Sequence, residues 1–374
     1  MTEIYLIRHA QAEGNRYRIL QGHWDGDVTA AGEKQIKLLA ARFCGVPVDA
    51  VYASDLYRAR HTAAAVARRE GLPIRSDRRL REINVGPWET QFFGNVCHDE
   101  PERARQFIHE PDLFYLPGAE TFAEVGERAC AALEEIACEN EGKRVAVVSH
   151  GVTIRCILSR ITGVSLRDVE ALPICRNTAV THLLWDGERF AVDYYNDVSH
   201  LAPLPEPAWS RNGNVRHESF DPACEPAFYT DCYADAWRSA HGNLEGFSAE
   251  VYLNSACRHY RTDRESVLRM LVEDEPIGLV DMDTRRGALA GYGWLSLLYL
   301  RPEYRHQGYG IQVLGRVYRR YQKLGRRSLR LNVAVSNTDA RTFYEREGFA
   351  VLGREGGTDG LLLLEKSLRR KRHD

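Results

Sequence analysis

The chain carries almost no net charge: 50 lysines and arginines stand against 52 aspartates and glutamates, a formal charge of -2 over 374 residues. That balance excludes a polycation drawn to nucleic acid or anionic membrane by charge alone, so any basic patch must be local. Long apolar runs are missing too. No stretch approaches the roughly 18 to 20 residues that span a bilayer. Met1 leads straight into Glu3-Ile4-Tyr5-Leu6-Ile7, without the basic start and cleavage site of a secretion signal. A cytoplasmic protein is expected, with no membrane partner and no nucleic-acid partner. The nine cysteines are odd in number, scattered, and never spaced as Cys-x-x-Cys. They support neither a disulfide framework nor a metal cage, and are expected to be reduced, mostly buried fillers.

What is present is a globular composition, 44% hydrophobic and 27% charged, over a length that favours two domains at about 100 to 200 residues each. Periodicity fails between residues 198 and 226, where Pro203, Pro205, Pro207, Pro222 and Pro226 fix φ and remove backbone donors. This stretch is expected to hold the linker, with one strand near 215–220. The expected division is 1–200, a linker at 201–217, and 218–374.

Before the linker, short continuous apolar runs at 4–7, 48–52 and 145–148 have the character of strands covered on both faces of a parallel sheet. Residues 29–43, 56–69, 121–138 and 152–161 carry helical spacing, with Thr29 and Thr121 as N-caps. Segments 178–185 and 189–195 flank Asp186-Gly187 and predict a hairpin. After the linker come helices at 229–240 and 249–260 and strands at 266–273, 277–283 and 293–300. A glycine- and arginine-rich turn follows, then a helix at 311–324, a strand at 329–335, a helix at 338–347 and a strand at 360–368. Both domains are therefore α/β, in different orders.

Ligands of open α/β sheets collect at the carboxyl ends of strands. Arg8-His9-Ala10 follows the first strand and Ser149-His150-Gly151 follows the strand at 145–148. Between them lie Asn15, Ser54-Asp55-Leu56-Tyr57-Arg58-Ala59-Arg60-His61-Thr62-Ala63, Leu80-Arg81-Glu82, Gly86-Pro87-Trp88-Glu89 and Pro117-Gly118-Ala119-Glu120. This series resembles the histidine phosphatase superfamily, in the branch that holds the cofactor-dependent phosphoglycerate mutases and their phosphatase relatives. The resemblance covers residues 1 to about 198 and implies a mainly parallel three-layer α/β/α sheet. It further implies that His9 attacks phosphorus, that Arg8, Arg58 and His150 hold the phosphoryl oxygens, and that Glu82 protonates the leaving oxygen and later activates water. Asn15, Gln21 and the backbone at Gly22 are expected to line the phosphate pocket. His61 and His23 are expected to be structural or peripheral.

The residue types suit that chemistry. A phosphoryl group in transfer spreads negative charge over its oxygens, which fixed guanidinium forks can hold. Neutral imidazole is nucleophilic near pH 7, so no metal is required. One departure is Ala10, where the family usually has glycine. The short interval from Glu82 to His150 favours phosphatase over mutase, and residues 91–115 are expected to form a lid whose Phe92, Phe93, Phe114 and Tyr115 could line it or simply pack.

In the second domain, Leu298, Leu300, Arg305, His306, Gln307, Gly308, Tyr309 and Gly310 describe a strand, a glycine-eased turn and a helix start, a possible anion cradle. With Asn337, Tyr344 and Gly348-Phe349 following, the segment from about 218 to 368 resembles the GNAT acyltransferases. The resemblance implies acetyl-CoA as cofactor, its pyrophosphate over the N–H groups of 305–310 and its pantetheine along Leu298 to Leu300. It also implies an Asn337 contact to pantetheine and Tyr344 as the acid for the departing thiolate. Asn332 stands where several amine acetylases of this family have a glutamate base. Another group such as Glu273, Asp281 or Asp283, a water chain, or a neutral amine would then serve; alternatively the domain binds the coenzyme without turnover.

These readings combine into a bifunctional enzyme acting on a small phosphorylated metabolite and on a small-molecule or peptide amine, as a monomer or an oligomer. The rivals are a phosphatase regulated by a non-catalytic acetyl-CoA-binding module, and a mutase-type phosphotransferase.

Overall fold

The computed structural model describes residues 1–172, 175–204, 213–355 and 360–369. Residues 205–212 of the expected linker and the residues after Arg369 lie outside them. Two compact units emerge, one before and one after the segment 205–212. Among the described residues no helix is long and apolar enough to cross a membrane.

The first unit runs β1 (Thr2–Arg8), α1 (Glu13–Tyr17), α2 (Ala30–Arg42), β2 (Ala50–Ala53), α3 (Tyr57–Glu70) and β3 (Ile74–Ser76). It continues with α4 (Phe93–Asp99), α5 (Pro101–His109), α6 (Phe122–Glu139), β4 (Arg144–Ser149), α7 (Gly151–Thr162), β5 (Val180–Trp185) and β6 (Phe190–Asp197). The strand order is β3-β2-β4-β1-β5-β6. The first four strands are parallel, and the β5–β6 hairpin is antiparallel. Alternate residues of β1 enter different cores. Ile4 and Leu6 pack with Ala129, Leu133, Ile154 and Ile157 of α6 and α7, whereas Tyr5 and Ile7 pack with Leu39, Ala59, Ala63 and Val66 of α2 and α3. Helices on both faces explain why β1 and β4 are apolar throughout rather than alternating.

The segment expected as a lid holds α4 and α5. Phe92 and Phe114 are buried, and Phe114 belongs to an aromatic cluster with Trp88, Phe107 and Phe122. They pack rather than line an opening, while Tyr115 is 67% exposed.

The second unit runs β7 (Arg216–Ser219), α8 (Pro226–His241), α9 (Ala249–Thr262), β8 (Val267–Val272), β9 (Glu275–Asp283) and β10 (Tyr292–Leu300). Then follow α10 (Tyr309–Lys323), β11 (Ser328–Ala334), α11 (Thr338–Arg346), β12 (Ala350–Glu355) and β13 (Leu361–Ser367). The sheet order is β12-β13-β11-β10-β9-β8-β7, and among the described residues of this unit only β10 and β11 pair in parallel. Helix α10 crosses close over Gly293, where a Cβ would stand 2.3 Å from the Tyr321 ring.

β10 and β11 pair only from Tyr292↔Ser328 to Leu295↔Leu331. Beyond that point Leu297 to Leu300 pair with β9 alone, after a bulge between Leu295 and Leu297, while Asn332 to Ala334 pair with β13 alone. The sheet thus opens between two parallel strands.

Candidate active sites

The register of β1 and β4 pairs Arg8 with Ser149. His9 and His150 are the next residues on each strand, so they leave the sheet at one level, at its carboxyl edge. The His9 N–H donates to the Ser149 carbonyl at 2.9 Å, and the two ring centroids are 5.0 Å apart. The loop before β5 holds this turn from behind: Thr178 N–H donates to the Arg8 carbonyl at 3.0 Å, and Asn177 Nδ2 donates to the His9 carbonyl at 2.9 Å.

His9 is 2% exposed, with Nδ1 lying 2.7 Å from the Ala10 carbonyl. A carbonyl oxygen only accepts, so Nδ1 carries the hydrogen and Nε2 keeps a free lone pair. Burial, then the charges of Arg58 and Arg8, hold the ring well below the ordinary imidazole pKa, against an upward pull from Ala10. His150 is held low by burial and then by Arg58, His9, Arg8 and Arg128.

The cations are built in. Arg8 donates to the Cys175 carbonyl and lies against Gly151, where a Cβ would come within 3.2 Å of its guanidinium carbon. Arg58, on α3, is 0% exposed. Its Nη2 donates to the Gly22 carbonyl at 2.7 Å, its Nη1 donates to the Trp24 carbonyl at 3.0 Å, and Asp25 stands 3.6 Å away. Among the described residues Arg8 Nε, Arg58 Nε, Gln21 Nε2 and both ring nitrogens of His150 are buried without a hydrogen-bond partner. Buried donors left unpaired are costly, and the Nε–H groups of Arg8 and Arg58, the Gln21 amide and the one N–H of a neutral His150 are donors that an anion would accept from.

Two expected pocket-lining groups are engaged elsewhere. The Gly22 N–H donates to Glu89 Oε2 at 3.3 Å; the same carboxylate takes the N–H groups of His23 and Trp24 at 2.7 and 3.0 Å. The 22–24 loop is therefore pinned by Glu89 through its donors and by Arg58 through its acceptors. Gly22 is needed sterically, since a Cβ there would meet Ile83 O at 2.2 Å. Asn15 Oδ1 accepts from the Ala12 N–H at 3.0 Å and so closes the first turn of α1. Gln21 Oε1 accepts from Gly14 at 3.2 Å, leaving its amide nitrogen unpartnered.

Glu82 reaches the start of α7. Its Oε1 accepts from the Ile83 and Thr153 N–H groups at 3.1 Å each, and its Oε2 accepts from Val152 at 3.3 Å. Its loop is held by Arg128 on α6, which donates to the carbonyls of Arg79, Arg81 and Glu82 at 2.6, 2.8 and 3.0 Å and pairs with Glu120. His23 Nε2 lies 3.1 Å from the Glu82 carbonyl. His61 pairs with Glu33 at 3.1 Å and stacks on Tyr57. Sequence reasoning quoted Glu89 and Glu120 within motifs but gave them no role. Arg128, Thr153 and Asn177 carried no local signal.

In the second unit, the open edge of Leu298 and Leu300 runs into the turn of 305–310. His306 (φ 60°) and Gly308 (φ 85°) are left-handed, and Gly308 caps α10 without a side-chain hydrogen bond or an acidic residue in the first turn. The first N–H groups of a helix lack intrahelical acceptors, which suits a diphosphate. A Cβ on Gly310 would meet Phe343 at 3.5 Å and Leu300 Cδ1 at 3.6 Å, ordinary contact, so the cradle has room. The cradle starts at His306, because the Arg305 N–H donates to Pro302 at 3.1 Å. Arg305 Nε donates to the Leu300 carbonyl at 2.9 Å, which occupies one expected acceptor for pantetheine. Asn337 is the N-cap of α11, accepting from Ala340 at 3.1 Å. Tyr344 is buried between Phe343 and Phe349, and burial raises its pKa. Asn332 Oδ1 is buried and unpartnered.

Asp281 and Asp283, expected with Glu273 as possible bases, are both engaged with His259. Asp281 is 1% exposed, accepts from Tyr229 Oη at 2.8 Å and pairs with His259 Nδ1 at 2.7 Å, and Asp283 lies 3.4 Å from His259 Nε2. Glu273 sits in the β8–β9 turn at φ 50°.

Comparison with known proteins finds a family for each unit. Residues 4–198 match the family model of the histidine phosphatase superfamily (branch 1), and residues 228–349 match that of the acetyltransferase (GNAT) family. A probable phosphoglycerate mutase, GpmB of Escherichia coli O1:K1 / APEC, is 32% identical over 206 residues, covering 54% of this chain and 95% of that protein. The structure of Bacillus stearothermophilus YhfR is 32% identical with a TM-score of 0.53, covering 54% of this chain and 100% of that one. The chain belongs to the histidine phosphatase superfamily, branch 1, and carries a GNAT acetyltransferase domain after it.

Proposed function

We propose that the chain is a bifunctional enzyme: a metal-independent phosphomonoester hydrolase working through a phosphohistidine at His9, and an acetyl-CoA-dependent N-acetyltransferase. The observation that carries the first activity is the 2.7 Å contact of His9 Nδ1 to the Ala10 carbonyl, which puts the hydrogen on Nδ1 and leaves Nε2 its lone pair, beside the unpaired buried nitrogens of Arg8, Arg58 and His150. Nε2 attacks phosphorus, forming the N–P bond as the ester P–O bond breaks. Arg8, Arg58, His150 and Gln21 hold the equatorial oxygens. Glu82 gives its proton to the departing oxygen and then takes one from the water that cleaves the N–P bond. The substrate is a small phosphorylated metabolite.

For the second activity, acetyl-CoA supplies an acetyl group activated as a thioester. His306 to Gly310 would hold its diphosphate, and the open edge of β10 would hold its pantetheine arm. Tyr344 stands as donor to the leaving sulfur, and a small-molecule or peptide amine is the acceptor. A phosphate-release screen over phosphorylated metabolites, with and without acetyl-CoA, tests the reading together with His9→Ala. The variant should lose phosphate release and keep coenzyme binding; persistent release would place the nucleophile elsewhere.

A mutase-type phosphotransfer is favoured by the name of the Escherichia coli relative. Movement of phosphate between hydroxyls of phosphoglycerate, faster than its release, would establish that alternative. A coenzyme-sensing module is favoured by Asn332 in place of a base, and tight acetyl-CoA binding with no thiol released for any amine would establish it.

A further inference from the structure

Thr153, on the first turn of α7, is 0% exposed and stands between the Glu82 carboxylate and the backbone that carries it. Its Oγ1 lies 2.7 Å from the Arg81 carbonyl and 3.2 Å from Glu82 Oε1. A hydroxyl has one hydrogen and two lone pairs. The Arg81 carbonyl is an obligate acceptor at the shorter distance, so the hydrogen goes there. A lone pair of Oγ1 is left facing Glu82 Oε1. An ionised carboxylate has nothing to offer that lone pair, whereas a protonated one can donate into it. The remaining contacts of Glu82 serve the ionised form instead: Val152 donates to Oε2, and Ile83 and Thr153 both donate to Oε1, which gives up one of those two bonds when it carries the proton.

We propose that Thr153 is a positioning residue for proton transfer: its hydroxyl oxygen is the acceptor that holds the Glu82 proton before catalysis. The inference rests on Glu82 being the general acid. As His9 Nε2 bonds to phosphorus and the ester P–O bond breaks, the Oε1 proton leaves Thr153 for the departing oxygen. The same carboxylate is then stabilised by the α7 N–H groups until water returns a proton to it and the N–P bond breaks. Arg128 supports the arrangement by donating to the Arg81 carbonyl at 2.8 Å, which fixes the oxygen that orients the Thr153 hydroxyl.

The test is Thr153→Val in the full-length chain, which keeps the branched shape and the backbone N–H but removes the oxygen. Alkyl phosphates, whose leaving oxygens need a proton, are compared with p-nitrophenyl phosphate, which needs little help. The alkyl-to-aryl ratio of kcat should fall about five- to tenfold, the scale of one lost hydrogen bond, with KM shifting far less. Thr153→Ser should restore the ratio to within about twofold. A role in packing alone would depress both esters together and leave Ser impaired, which overturns the proposal. Should the Val variant fail to fold, judged by circular dichroism, Thr153→Ala is read against Thr153→Ser in the same way. Glu82→Gln separates the failures. If it splits the esters and Thr153→Val does not, the proposal fails and Glu82 stands; if Glu82→Gln does not split them, the acid assignment falls and takes Thr153 with it.

Discussion

His259 offers a quantitative test of the second unit. Burial pulls its pKa down, but hydrogen bonds and charge from Asp281 and Asp283 outweigh burial and raise it from 6.5 to about 9. The partner shift, Asp283 lowered to about 2 with His259 as first cause, reports the same interaction and is counted once. Below pH 6.5 the imidazole is protonated folded and unfolded, and the full contribution is present. As pH rises from 6.5 towards 9, the unfolded chain loses the proton that the folded one retains, so stability falls. The span of about 2.5 pH units corresponds to about 3 kcal/mol at about 1.36 kcal/mol per unit. Hydrogen exchange of the intact chain, read on peptides of α9 and β9 and corrected for intrinsic rate, should show protection falling by up to that amount between pH 6.5 and 9. His259→Gln should start lower at pH 6.5, since it leaves Asp281 buried without its cation, and should be flat across the window. Equal slopes in the two proteins would refute the placement of a charged His259 between two carboxylates.

Other expectations follow from the site in the first unit. Because burial, Arg58 and Arg8 hold the His9 pKa well below the usual imidazole value, kcat/KM, corrected for ionisation of the ester, should not fall as pH is lowered through that value, near 6.5; a loss centred there would contradict this. Arg58→Met removes a buried cation that binds the Gly22 and Trp24 carbonyls, and should lower kcat/KM by about 100- to 1,000-fold as well as the melting temperature; an effect under tenfold would remove Arg58 from the site. Gly22→Ala drives a Cβ to within 2.2 Å of Ile83 O and 2.4 Å of Glu89 Oε1, so phosphate release and stability should fall together while coenzyme binding is unchanged. Tyr344→Phe should slow acetyl transfer at unchanged acetyl-CoA affinity, as measured by thiol release and calorimetry; equal rates would leave Tyr344 a packing residue.

The parts of the fold that local pattern specifies were legible. The continuous apolar runs of β1 and β4 announced strands covered on both faces, and two strand-following histidines pointed at one edge. What sequence could not supply was contact over distance. Glu89 reaches back to the 22–24 loop and takes the Gly22 N–H that had been expected for phosphate. Arg128 gathers three carbonyls of the 79–82 loop from a helix whose periodicity signals only burial of its apolar residues. β3 was missed because Ile74–Ser76 is short and largely exposed, and β12 because its pairing with β13 depends on a partner after it in the chain. The ion cluster of His259, Asp281 and Asp283 joins α9 to β9; the two aspartates stand two apart on one strand, but nothing near them in sequence points to His259.

The central claim concerns a covalent bond at His9 Nε2. Rapid mixing with p-nitrophenyl phosphate, whose leaving oxygen needs little protonation, quenching in alkali and mapping by mass spectrometry should place an acid-labile, base-stable phosphate on the peptide containing His9, absent in His9→Ala and accumulating in Glu82→Gln. Phosphate release at full rate with no label on that peptide at any time of quench would contradict the account.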